Sequence, residues 1–204
     1  MAGSSDESGR GKGPVEEVAA VDSEKIIRAV HDILEAIGED PERPGLQGTP
    51  LRVARMYEEI FGGDKEDAGS ILGKTHELEH DEMVVVKDIH FYSMCEHHIL
   101  PFFGVCHIGY IPEDKRIVGL SKLARIVDVF SKRLQVQEHL ATEIADAVMT
   151  HVRPKGAAVV VSARHLCMEM RGVSKPGSRT VTSVVRGIFR SDIRTREEFL
   201  KLIG

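Results

Sequence analysis

Cys95-Glu96-His97-His98 sets a thiolate and an imidazole three residues apart, and His165-Leu166-Cys167 brings a second thiolate and another imidazole far downstream. A C-x-x-H pair can hold one Zn²⁺ from a single short turn, and one further thiolate completes three protein ligands. A catalytic zinc takes three and keeps its fourth position for water, whereas a structural zinc takes four. Each cluster also holds a spare histidine, His97 and His165, suited to proton transfer near neutral pH. The combination predicts hydrolytic zinc chemistry. Spacing alone leaves two alternatives open. Cys106 competes with Cys167 as third ligand, and all three cysteines with His98 would make a closed structural site.

Other polar groups read less sharply. Lys122 and Arg125 stand one helical turn apart, and with Arg52 and Arg171 they form either an anion clamp or ordinary solvated charge. Gln137-Glu138 opens a helical segment. A carboxylate there either answers the helix dipole or takes paired hydrogen bonds from a guanine or amidine edge. Glu96 either orients a neighbour or is a plain loop acid. His76-Glu77-Leu78-Glu79-His80 matches the H-E-x-x-H of zinc proteases, but its short charged stretch lacks the apolar residues that a stable helix would bury, so the protease reading is set aside. Gly69 to Thr75 resembles a phosphate-binding loop that is one residue short between its glycines, and is rejected.

The elements that must position these groups follow from periodicity. The chain has 204 residues, 42% of them hydrophobic, enough for one well-filled domain with flexible ends. Residues 1–20 are rich in Gly, Ser and charge and are expected to be a disordered tail. An N-terminal helical region follows over 21–63. Ser23 is expected to cap a first helix with the stripe Ile26, Ile27, Val30, Ile33, Leu34 and Ile37. Thr49 caps a second, with Pro50 at its first position and Val53, Met56, Tyr57 and Ile60 inward, and Gly62-Gly63 ends it. Met83 to Tyr92 reads as a strand leading into Cys95, and Phe102 to Ile111 as its hairpin partner. Helices are expected over about Ser121–Lys132 and Val136–Val152, then strands Ala157–Ala163, His165–Arg171 and Val181–Phe189. As a strand, His165–Arg171 sends His165, Cys167, Glu169 and Arg171 to one polar cavity face, and Leu166, Met168 and Met170 to the core. Thr195-x-x-Glu198 reads as a capping box for a last helix. Paired strands on tight turns predict an antiparallel α+β fold.

Bulk properties exclude several classes. A net charge of −5 argues against a nucleic-acid partner. No apolar run is long enough to cross a bilayer, and no signal-peptide layout opens the sequence, so the expectation is a cytoplasmic protein without a membrane partner. Three cysteines in a reducing compartment suit metal binding better than a disulfide framework.

The motifs together resemble one family. Cys95-Glu96-His97-His98, Ile111-Pro112 before Val118-Gly119-Leu120-Ser121-Lys122, Arg133-x-Gln135-x-Gln137-Glu138 and His165-x-Cys167-x-x-x-Arg171-Gly172 occur in this order in GTP cyclohydrolase I. Thr49-Pro50-x-Arg52-Val53-Ala54 and Thr195-Arg196-x-Glu198-Phe199 extend the resemblance to about residues 24–203. It implies a tunnelling fold over 64–204, an antiparallel sheet backed by helices with an N-terminal helical extension. Such a fold closes into a barrel on oligomerisation, here a homodecamer of two pentamers with sites at subunit interfaces. It implies conversion of GTP to 7,8-dihydroneopterin triphosphate and formate, with one Zn²⁺ per chain on Cys95, His98 and Cys167. His97 and His165 then resemble catalytic histidines and Ser121 a group near the ribose. Glu138 with Gln137 resembles the guanine-recognition pair, and Arg52, Lys122, Arg125 and Arg171 the triphosphate contacts. Cys106 matches no ligand of the family.

Overall fold

The computed structural model describes residues 21–63 and 67–204, so the expected tail over 1–20 lies outside the described residues. In chain order the elements are α1 (Ser23–Ala36), α2 (Thr49–Ile60), α3 (Ala68–Leu72), β1 (Thr75–Glu77), β2 (Val84–Cys95), β3 (Leu100–Ile111), β4 (Arg116–Val118), α4 (Leu120–Ser131), β5 (Leu134–Gln135), α5 (Gln137–His151), β6 (Gly156–His165), α6 (Leu166–Glu169), β7 (Thr180–Gly187), α7 (Ile188–Ser191) and α8 (Ile193–Ile203). The main sheet has the order β5-β2-β3-β6-β7. Its pairs are antiparallel, except that the two-residue β5 runs parallel to β2 at Met94 and Cys95. β1 and β4 form a separate antiparallel pair. The α+β expectation therefore holds, with one short parallel pairing added.

Alternation along β3 sends Phe102, Cys106, Ile108 and Tyr110 to one face. With Val159 and Val161 of β6 they meet Leu123, Ile126 and Val127 of α4 and Leu140, Ile144 and Val148 of α5, forming the main core. On the opposite face, Phe189 of α7 and Phe199 of α8 pack with Ala158 and Val160. Gly109 makes that second packing feasible, because a Cβ there would sit 2.7 Å from the Phe199 ring.

Several local expectations are corrected. Asp22, not Ser23, caps α1, accepting from the Lys25 N–H. Gly48 precedes α2 without a side-chain cap, and Thr49 is already helical. Met56 of α2 is exposed. Asp192 caps α8 in place of the Thr195 box. The chain leaves β7 at Gly187, so Phe189 lies in a helical turn. His76 lies in β1, opposite Ile117, so the H-E-x-x-H stretch has no helix on which two histidines could share a face.

A bulge in β2 between Val86 and Ile89 places Asp88 at φ 58°. The Asp88 N–H donates to Nδ1 of the buried His107 at 3.1 Å, which requires a lone pair on that nitrogen. Burial pushes the His107 pKa below the usual 6.5, and Lys87 adds to this while Asp88 opposes it. The unfolded chain therefore binds the proton more readily than the folded one. Stability contributed by neutral His107 is complete above pH 6.5 and declines as pH falls from there toward the lower folded value. A His107→Gln variant should flatten the melting temperature against pH in that window. A slope unchanged by the substitution would contradict the assignment.

Candidate active site

The β2–β3 hairpin builds the first half of the site. Cys95 and Leu100 are its last paired residues, and the Ile99 N–H returns to the Cys95 carbonyl at 2.9 Å with Ile99 at φ 51°. This tight turn puts Cys95 and His98 on the same side. Gln135 of β5 pins it from outside, its carbonyl accepting the Glu96 N–H at 3.1 Å. The buried Gln135 amide is itself held by the Phe130 carbonyl at 3.1 Å and the Glu143 carboxylate at 2.5 Å.

Register supplies the second half. β6 lies antiparallel to β3 with His165 opposite Phe102, so the residues just past the end of β6 arrive beside the hairpin turn. There the chain departs from the sequence expectation. His165 ends the strand, and Leu166–Glu169 form one helical turn instead of continuing it. The predicted polar face of His165, Cys167, Glu169 and Arg171 does not exist as such. Met168 and Met170 are exposed, and Glu169 is buried against Arg164. Cys167 and Arg171 still reach the site, Cys167 from α6 and Arg171 from the segment just after it.

The outcome is a group of Cys95, His98 and Cys167 whose ligand atoms lie within 4.8 Å of one another. Tetrahedral zinc with Zn–S bonds of about 2.3 Å and Zn–N of about 2.0 Å fits a triangle of this size. The donor chemistry fits too. Burial, then the charge and hydrogen bond of the neighbouring Cys95, push the Cys167 thiol above its ordinary value. Two thiolates at this distance need a cation between them. The Arg171 guanidinium, which can only donate, stands 2.8 Å from His98 Nε2, so that nitrogen accepts its N–H. Cys106 takes no part. It is fully buried among apolar side chains of the main core, and burial raises its thiol strongly. The four-ligand structural alternative falls with it.

The two spare histidines differ in setting. His97 is exposed, with Nδ1 3.8 Å from Cys95 Sγ and Nε2 3.8 Å from the Glu96 carboxylate. His165 is half-buried and lies flat on Phe102, ring centroids 4.7 Å apart at an interplanar angle of 1°. Its Nε2 is 2.7 Å from Gln137 Oε1. The Gln137 amide nitrogen donates to the Val161 and Thr180 carbonyls and to Thr182 Oγ1 at 3.0–3.1 Å, which fixes the amide orientation. His165 Nε2 must then be the donor, and Nδ1 carries the lone pair. Burial lowers the His165 pKa, opposed by the Glu138 carboxylate.

Gln137 is therefore occupied within the chain, bridging β6, β7 and His165, while Glu138 is exposed beside it in the first turn of α5. Of the four predicted anion contacts, Arg171 touches the metal-binding group. Lys122 donates to the Lys74 carbonyl, Arg52 to Thr49 Oγ1 at 3.0 Å, and Arg125 lines a groove with Asp128 and Lys132. Ser121 is exposed in the first turn of α4. Sequence reading missed Gln135, Phe102 and Arg164. Only the burial of two glutamines in a polar Q-x-Q-E segment could have hinted at the first.

The sequence model of the family described as GTP cyclohydrolase I matches residues 26–204. A protein of Thermoanaerobacter pseudethanolicus named GTP cyclohydrolase 1 is 60% identical over 184 residues, covering 90% of this chain and 98% of its own. Proteins of the same name from Caldanaerobacter subterraneus subsp. tengcongensis and Carboxydothermus hydrogenoformans are 61% and 58% identical over 184 residues each, covering 90% of this chain and 98% and 96% of their own. Among solved structures, the apo form of the archaeosine synthase QueF-Like aligns with a TM-score of 0.41 and 20% identity over 52% of this chain and 93% of that one. Identity near 60% along nearly the whole of these relatives leaves one assignment: the chain belongs to the GTP cyclohydrolase I family.

Proposed function

We propose that this chain is a GTP cyclohydrolase I, opening the imidazole ring of GTP at C8, releasing formate and rearranging the remainder to 7,8-dihydroneopterin triphosphate. The observation that carries the reading is the convergence of Cys95, His98 and Cys167 within 4.8 Å, from two segments about seventy residues apart, with His165 two residues before Cys167 in the chain. Two thiolates and one imidazole are a donor set for zinc, one ion per chain, and leave a position open. A zinc ion held there supplies Lewis acidity to water and to a carbonyl oxygen.

The protein groups divide the remaining work. Protonation of guanine N7 makes C8 electrophilic, and His165 is the group assigned to that proton. Gln137 holds Nε2–H, so Nδ1 is the nitrogen that exchanges it. His97, more exposed, accepts a proton from the attacking water or relays it later. The Glu138 carboxylate accepts the paired N–H groups of the guanine edge. Ser121 assists at the ribose. Arg171, Lys122, Arg125 and Arg52 bind the triphosphate as cations and take no part in bond making.

Within the chain each of the four cations has its own partner (Arg171 with His98, Lys122 with the Lys74 carbonyl, Arg52 with Thr49, Arg125 beside Asp128 and Lys132), which favours a site completed by neighbouring subunits. We assign the homodecamer of two pentamers, with the sheet closing into a barrel across subunits and 21–63 as a helical extension of the 64–204 catalytic domain. Exposed apolar side chains support an assembly: Tyr92 and Val181 on the sheet, Ile99 in the hairpin turn, and Met56 on α2. Met56 and Tyr92 also line a cavity of about 580 Å³ between α2 and β2. Among the described residues no helix is long and apolar enough to cross a membrane. The substrate and the reduced cysteines suit the cytoplasm.

Incubation of the zinc-loaded protein with GTP should release formate in step with a pterin that fluoresces after oxidation. Zinc-loaded protein that leaves GTP intact would overturn the reading.

A further inference from the structure

Cys167 occupies a helical turn of four residues, α6, which has too few internal hydrogen bonds to hold its own shape. What fixes it is a carboxylate. Glu169 folds back onto Arg164, the penultimate residue of β6, in a two-pronged contact: Arg164 Nε to Oε1 at 2.8 Å and Nη2 to Oε2 at 2.5 Å. The Arg164 guanidinium holds the Glu169 carboxyl below the usual carboxylate range, and the Gly177 backbone N–H adds to this. One buried side chain thus ties the strand end to the turn carrying Cys167. Arg164 is anchored in turn. Its guanidinium lies 5.6 Å from the centroid of the Phe103 ring, and Phe103 stacks on Tyr92 at 5.6 Å.

The other restraints on this segment are the Arg171 contact to His98 Nε2 at 2.8 Å and a few backbone bonds of its own. Met170 donates to the Leu166 carbonyl at 3.0 Å, Lys175 to Met168 at 2.9 Å, and Ser174 to Arg171 at 3.2 Å, all within the segment itself. Residues 170–177 are exposed. Glu169 therefore supplies the two-pronged tie to β6, beside the Arg171 contact at the hairpin turn. A bidentate guanidinium–carboxylate contact sets distance and angle together, which a single hydrogen bond does not.

We propose that Arg164 and Glu169 are positioning residues for the metal group, holding the Cys167 thiolate in register with Cys95 and His98. The inference rests on the reading of those three residues as ligands. Partners one step removed from a metal ligand commonly change its affinity by about 10–100-fold when lost.

The test is zinc affinity by chelator competition, together with the absorption bands of the cobalt-substituted protein, which report thiolate geometry. Glu169→Gln keeps the size of the side chain but removes its charge and its paired acceptors. It should weaken zinc by about tenfold or more and shift the cobalt bands. Arg164→Lys keeps the charge without the fork and should give a smaller change in the same direction, a readout that survives if Glu169→Gln fails to fold. The double variant should lose no more affinity than the worse single one, since both act through one contact. Zinc affinity within twofold of the parent and unchanged cobalt bands in either single variant would overturn the clamp alone. A parent protein that binds no zinc would overturn the ligand assignment and the clamp with it.

Discussion

Cys167→Ser should abolish both zinc binding and GTP turnover, whereas Cys106→Ala should leave both in place. The two thiols are chemically identical and differ in surroundings. Cys167 stands within 4.8 Å of the other two ligand atoms, and its proton is held by burial and by Cys95 in a way that a cation reverses. A serine hydroxyl is harder and far less acidic than a thiol, so it does not replace the thiolate. The loss of affinity should exceed the ~10–100-fold that removal of an outer partner costs. Cys106 sits fully buried on the helix face of β3, opposite Ile89 and Val161, with a strongly raised pKa. Truncating it removes one sulfur from a packed core, which should cost about 1 kcal/mol of stability and no metal. Zinc measured per chain in the two variants decides between them. Zinc retained by the Cys167 variant, or lost by the Cys106 variant, would contradict the ligand set.

His165→Ala is expected to separate metal binding from chemistry. The imidazole lies flat on Phe102 with Nε2 held by Gln137, an arrangement that fixes its tautomer and leaves Nδ1 for proton exchange. Removing a positioned acid or base typically lowers turnover by about 10²–10⁴-fold. Zinc content should stay at one per chain, because the ring contributes no ligand atom to the group. The fall should appear in kcat, since the guanine edge and triphosphate contacts lie elsewhere. If this variant lost zinc as completely as Cys167→Ser, the division between ligand and proton donor would be wrong.

Much of the site was legible because its information is local. C-x-x-H spacing at the end of an apolar strand specifies a hairpin turn with two donors on one side, and the turn takes that form. The helices over α4 and α5 follow from their apolar stripes to within two residues. Non-local pairing was harder to read. His165–Arg171 alternates like a strand, yet the turn after His165 is set by Glu169 reaching Arg164, a contact with no signature in spacing. Gln137 looked like a substrate contact beside Glu138. Its burial depends on β7 passing over the start of α5, which periodicity does not reveal. The four cations are scattered along the sequence, and their spacing does not reveal that Arg171 meets His98. Caps were misplaced by one residue at α1 and α2, since Asp22-Ser23 and Gly48-Thr49 each offer adjacent starts.

The most direct test of the central claim is formate release from GTP by chelator-stripped protein as zinc is returned. The account predicts no formate without metal and a linear rise that breaks at one zinc per chain, with Cys167→Ser silent throughout. Formate released at full rate by the stripped protein, or a chain that binds one zinc and releases none, would contradict it.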